Sequence, residues 1–168
     1  MKLRRFLVAA LKGAGHEAVA PLDSPFFEGK ASERYGMAST WSERHTAYAS
    51  GLGTFGLCDG LITPVGKAMR VGSVVAHVQV AATGRPYTDH HAYCLWYAKG
   101  LCGDCVERCP VNAISREKGH DKAPCRAYID GTTKAYVKSQ FGFEGYACGL
   151  CQTGVPCESG IPVKTGDR

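Results

Sequence analysis

Cys94-Leu95-Trp96-Tyr97-Ala98-Lys99-Gly100-Leu101-Cys102-Gly103-Asp104-Cys105-Val106-Glu107-Arg108-Cys109-Pro110 opens the stretch around which the chain is organised. From Cys94 to Cys157 lie eight of the nine cysteines: Cys94, Cys102, Cys105, Cys109, Cys125, Cys148, Cys151 and Cys157. A thiolate is a soft ligand that suits iron or zinc. A cubane [4Fe-4S] cluster takes four of them, so eight thiolates in one stretch match two clusters with none left over.

The local spacing supports iron and sulfur. Cys102-x2-Cys105-x3-Cys109-Pro110 is similar to the end of the bacterial ferredoxin run, in which close cysteines wrap one cluster and the cysteine before proline reaches the other. Lys99 stands where the first cysteine of that run would fall. Cys94, five residues further back, is the nearest substitute, and Gly100 lets the intervening loop turn. After the proline, Val111-Asn112-Ala113-Ile114 reads as a short helical turn leading into a strand. The second half, Cys148-x2-Cys151-x5-Cys157, is looser and is set among Gly145, Gly149, Gly154, Pro156 and Pro162. Glycines there let backbone N–H groups approach cluster sulfurs, and such hydrogen bonds help set a reduction potential.

Two other chemistries compete for these cysteines. Two zinc sites could also use eight thiolates, but structural zinc favours paired C-x2-C knuckles and gives the Cys-Pro continuation no role. A disulfide framework belongs to small secreted domains, whereas this chain has 168 residues, an odd cysteine count and tight C-x2-C spacing.

Composition narrows the function classes. The chain is 45% hydrophobic, enough for one ordinary core or two small modules, and its 21 glycines suit cluster loops better than long helices. The net charge of +5 is spread out, with no basic run longer than Arg4-Arg5, so a solvated surface is expected rather than a nucleic-acid interface. No segment approaches the roughly 18 apolar residues of a membrane span. Lys2, Arg4 and Arg5 precede an apolar run that stops at Leu11, too short for a signal peptide or a twin-arginine export signal. A cytoplasmic location, where thiols stay reduced, is therefore expected.

Before the cysteines, Leu3, Phe6, Leu7, Ala10 and Leu11 form one stripe of an amphipathic helix ending near Gly13 and Gly15. A strand over 18–20 follows, so the chain opens inside an α/β unit. Residues 21–40 read as a loop. Thr40-x-x-Glu43 predicts a capping box for a helix of about ten residues ending at Gly51, with Trp41, His45 and Tyr48 on one face. That face is either packed or turned toward a ligand. Gly51-Leu52-Gly53-Thr54-Phe55-Gly56 fits G-x-G-x-x-G without the flanking strand and helix of a dinucleotide site. It is either a plain helix-to-strand connection or a turn that approaches a flat cofactor. Cys58, outside the set of eight, reads as a buried free thiol. Leu61–Thr63 and Val71–Val80 predict two strands, the second covered on both faces inside a sheet. Residues 83–92 read as a linker carrying His90 and His91 as exposed, unpartnered zinc candidates. Residues 115–125 form a charged excursion, and residues 126–141 a small strand or helix over the clusters.

Taken in order, Glu43-Arg44-His45, Gly51–Gly56, Leu61-Ile62-Thr63-Pro64, C-x2-C-x3-C-P, a lone cysteine and C-x2-C resemble the epoxyqueuosine reductase and reductive dehalogenase superfamily. The resemblance covers about residues 1–162 and is most specific in the cysteine region. It implies an α+β chain: a partial nitroreductase-like α/β core over residues 1–90, a bacterial ferredoxin-like two-cluster module over 91–162, and a tail over 163–168. It implies a crossed ligand set, with Cys94, Cys102, Cys105 and Cys157 on one [4Fe-4S] cluster and Cys109, Cys125, Cys148 and Cys151 on the other. It also implies a corrinoid, cobalamin, near Gly51, Leu52, Gly53, Thr54 and Phe55. The family's longer N-terminal half, which builds much of the corrinoid pocket, is not present before Cys94, so a partner chain completing that pocket is one expectation. The family's acidic proton donor falls near Met37, which cannot donate a proton. The tRNA-binding helical repeats have no counterpart, and tRNA is not expected as a partner.

Two functions follow from the residues. The first is an electron-transfer protein or subunit whose two clusters exchange single electrons with a redox partner protein. The second is a cobalamin-dependent reductase in which Tyr48, His45 or Glu43 supplies a proton by general acid catalysis.

Overall fold

A computed structural model of the chain describes residues 2–33, 36–145 and 147–163. These residues form an α+β arrangement of short helices and two-stranded antiparallel sheets. Two compact units divide the chain: Met1–Leu52 with Arg70–Pro86, and Gly53–Met69 with Tyr87–Arg168. A boundary at residue 90 drawn from linker composition would separate Gly53–Met69 from its own hydrogen-bond partners. The N–H of Tyr93 donates to the hydroxyl of Thr54 and the N–H of Lys67 to the carbonyl of Cys157, at 2.9 and 2.8 Å.

In the first unit, α1 (Lys2–Gly13) forms on the expected stripe and ends with Gly15 in the left-handed region, where the N–H of His16 reaches back to the carbonyl of Leu11. The stripe remains solvent-facing, with Leu3 and Phe6 70% or more exposed. Strand β1 (Ala18–Val19) pairs with β6 (Val75–Ala76). This corrects the expectation of a long strand over Val71–Val80 covered on both faces. Only two residues of that run join a sheet, and Val75 and Val80 are exposed, because the two-residue β1 offers no longer partner edge.

Residues 21–40 are also more ordered than a loop. They contain the hairpin β2 (Gly29–Ser32) and β3 (Gly36–Ser39), paired from Gly29 with Ser39 to Ser32 with Gly36. Helix α2 (Glu43–Ala49) starts later than expected and has seven residues. Its N-cap is Ser42, whose hydroxyl accepts the N–H of His45, a contact worth about 1 kcal/mol in such positions. Thr40 closes the hairpin instead: its hydroxyl donates to the carbonyl of Phe26 and accepts the N–H of Glu28.

The second unit carries the core. Leu57, Cys58, Ile62, Cys94, Cys105 and Ile114 pack together, with Ile62 fully buried. Strands β4 (Thr54–Phe55) and β5 (Leu61–Ile62) form a tight hairpin whose approach leaves no room for a side chain at position 53. A Cβ on Gly53 would stand 2.2 Å from the carbonyl oxygen of Ile62. Then follow α3 (Leu95–Lys99), α4 (Asp104–Glu107) and the hairpin β7 (Ile114–Ser115) with β8 (Gly119–His120), which is the form the charged excursion takes. Helices α5 (Lys122–Tyr128) and α6 (Lys134–Phe141) are joined by a π-helical turn over Ile129–Thr133. Residues 126–141 are therefore helical, with Asp130 paired to both Arg126 and Lys134 one turn either side.

Candidate metal centre

Four elements bring the first set of cysteines to one place. Cys94 caps α3 and donates its N–H to the carbonyl of His91. Gly100 ends α3 in the left-handed conformation and turns the chain back, so that Cys102, itself at φ +79°, and Cys105 on α4 follow within one loop. Gly103 is bare because the guanidinium of Arg116 lies where its Cβ would be. Cys157 arrives from 54 residues beyond Gly103 in sequence and is fastened by the N–H of Lys67 on its carbonyl. Gly66, at φ +87°, approaches the carbonyl of Glu158 so closely that a Cβ would stand 2.0 Å from it. The result is one cavity walled by Cys94, Cys102, Cys105 and Cys157, with Lys67 and Trp96 also lining it.

Of the second set, Cys109 follows α4, Cys125 lies on α5, and Cys148 and Cys151 lie in the turns beyond α6. Burial, then the charges of Cys109, Cys148 and Cys58, push the Cys125 thiol above its ordinary value. Cys151 is raised by its hydrogen bond with Cys58, then by burial and charge, with Cys125 among the contributors. Arg108 joins the two ends of this set: its Nε donates to the carbonyl of Leu150 at 2.9 Å. The Cys109 sulfur accepts the N–H of Ala113 at 3.2 Å, the kind of backbone contact that tunes a ligating sulfur.

Between the two sets lies Cys58. Its sulfur receives hydrogen bonds from Cys105 and Cys151, one from each set, and stands 3.2 Å from Lys67 Nζ. Those two thiols, with Lys67, hold Cys58 well below the ordinary thiol range against the opposing effect of burial. Burial works to lower Lys67, but Cys58, Cys157 and Cys105 outweigh it and its ammonium is stabilised. Cys105 is raised, first by its bond to Cys58, and Cys157 is raised by burial although Lys67 opposes the shift. Sequence reading did not find Lys67. Its one signal was glycine on both sides, at 60 and 66: a Cβ on Gly60 would meet Lys67 Cδ at 2.6 Å.

The residues singled out for catalysis lie in the first unit. Glu43 accepts from Arg4 at 3.3 Å, His45 Nδ1 lies 2.7 Å from the hydroxyl of Ser42, and Tyr48 lies under the guanidinium of Arg85. His45 and Tyr48 are three positions apart on α2, and Glu43 is turned to its ion pair. Gly51 is left-handed and abuts Gly84, and Leu52 is exposed. Thr54 and Phe55 are buried in the second unit, the Thr54 hydroxyl accepting the N–H of Tyr93 at 2.9 Å. The run Gly51–Phe55 is thus a helix-to-strand connection. His91 is neither exposed nor unpartnered, as had been expected of it: its Nδ1 meets the carbonyl of Phe55 at 2.8 Å and its ring stacks on Tyr97. Burial lowers its pKa.

All nine cysteines are free, so the disulfide framework does not form. Among the described residues no three of the His, Cys, Asp and Glu side chains converge as a single metal ion would require. Cys94, Cys102, Cys105 and Cys157 do line one cavity. Among the described residues no helix is long and apolar enough to cross a membrane. Compared with protein-family models, with characterised proteins and with solved structures, the chain matches none.

Proposed function

We propose that this protein is an electron-transfer protein or subunit carrying two [4Fe-4S] clusters. Cys94, Cys102, Cys105 and Cys157 would hold one, and Cys109, Cys125, Cys148 and Cys151 the other. When bound, such clusters accept and release single electrons at potentials set by their surroundings. The observation that carries the reading is the single cavity walled by Cys94, Cys102, Cys105 and Cys157, residues spread over 64 positions of sequence. Burial by Leu57, Ile62 and Ile114 keeps water from the Cys105 side. The finer fold reading, a ferredoxin-like module following a partial nitroreductase-like core, belongs to the same proposal, as do a cytoplasmic location and a redox partner protein. The test is anaerobic loading followed by iron and sulfide analysis. About eight irons per chain are expected, and four or none would refute the pair.

A further inference from the structure

We infer that Lys67 is the residue that sets the reduction potential of the cluster held by Cys94, Cys102, Cys105 and Cys157. The inference rests on the two-cluster reading above. Lys67 is 2% exposed, and a buried ammonium is costly unless negative charge faces it. Its surroundings are built to hold it there. Gly60 leaves room for its methylenes, Gly66 lets its backbone reach Cys157 and Glu158, and its side chain lines the cavity walled by the four thiols.

Cys58, whose sulfur lies 3.2 Å from Nζ, is the thiol left over from both sets. Beyond Cys58, Lys67 lines the cavity together with Cys94, Cys102, Cys105 and Cys157 and is hydrogen-bonded with Cys157, so its ammonium faces the thiols that would hold the cluster. One-electron reduction adds a further negative charge there, forming and breaking no bond. A buried cation lining the same cavity would favour that added charge. Lys67 therefore raises the potential of this cluster relative to the one around Cys125, giving the electron a preferred residence. Among the described residues the cavity lining includes no acidic side chain, and the carboxylate of Asp104 meets Cys102 Sγ at 3.5 Å.

The test loads the full chain and its Lys67→Met and Lys67→Arg variants with iron and sulfide anaerobically. Iron is counted, and each protein is titrated with dithionite while reduced clusters are followed by electron paramagnetic resonance. All three are expected to hold about eight irons. In Lys67→Met, one of two transitions falls so that the reduced-to-oxidised ratio at fixed potential drops at least roughly tenfold, about 59 mV for a one-electron couple. The other transition moves less, and Lys67→Arg stays near the parent. Unmoved transitions in an iron-replete Lys67→Met, or an equal fall in Lys67→Arg, overturn the inference. Should Lys67→Met lose iron, Lys67→Gln is compared with Lys67→Arg: the same tenfold difference supports the assignment, and equal potentials or loss of iron from every variant overturn it. A parent chain that takes up no iron refutes the two-cluster reading itself, and this inference with it.

Discussion

Lys67 Nζ lies 3.2 Å from Cys58 Sγ, and both side chains are buried, so the ninth cysteine has a partner that is not iron. Cys58 is not among the residues walling the four-thiol cavity. Cys58→Ser keeps a hydroxyl where Lys67 can donate, at the cost of about 1–3 kcal/mol for a smaller and more polar group in the core. The iron content should stay at about eight per chain. Loss of four irons in this variant would move Cys58 into the ligand set.

The two sets should fail separately. Cys105→Ser removes a thiol from the cavity that also includes Cys94, and Cys125→Ser removes one thiol of the second proposed set. Each variant is expected to retain about four irons. Retention in both of a cluster with the same resonance signal would show that the crossed assignment is wrong, because the surviving cluster should differ between them.

Much of the cysteine geometry was legible in the sequence because it is local. Cys102, Cys105 and Cys109 are fixed by one short helix and its flanking turns, and spacing alone places them. What brings Cys157 to Cys94 is not local: it depends on Gly66 and Lys67, residues whose meaning appears only when Glu158 is seen against them. The amphipathic α1 was legible from its period. The hairpin Gly29–Ser39 was not, since glycine and serine give no alternation, and Val71–Val80 misled because its apolar residues stay exposed beside a two-residue partner strand. Thr40 and Ser42 compete for the same cap, and the tie was broken by Thr40's bonds back to Phe26 and Glu28.

Gly66→Ala should detach the end of the first ligand set. The residue sits at φ +87°, and its Cβ would overlap the carbonyl of Glu158 at 2.0 Å, so the loop from Pro64 and the segment around Cys157 cannot keep their present approach. The left-handed backbone alone costs about 1–3 kcal/mol for a residue with a side chain. Iron should fall toward four per chain, with the cluster around Cys125 retained. Full iron in this variant would mean that Cys157 is positioned by something other than the Lys67 strap.

Cob(II)alamin provides the discriminating titration for the alternative chemistry. Thr54 is fully buried with its hydroxyl bonded to the backbone of Tyr93, and Gly53 is pressed against Ile62, so neither presents a free surface to a macrocycle. The absorption spectrum of added cob(II)alamin should be unchanged by the iron-loaded chain. A shifted spectrum with saturable binding would favour the corrinoid-dependent reductase instead.

Glu43 offers a last separation of structure from catalysis. Its carboxylate accepts from Arg4 at 3.3 Å, and Arg4 also reaches Asp23 at 3.4 Å, all three side chains being largely shielded. Among the described residues Arg4 Nε and Glu43 Oε2 find no hydrogen-bond partner, so the pair is imperfectly compensated as it stands. Glu43→Gln keeps the shape but leaves the Arg4 guanidinium with less opposing charge, a change that should cost about 1–3 kcal/mol. Thermal unfolding of the variant is expected to begin several degrees earlier, while iron content and both cluster potentials match the parent. An unchanged melting curve would release Glu43 from its structural role and return it to consideration as a proton donor.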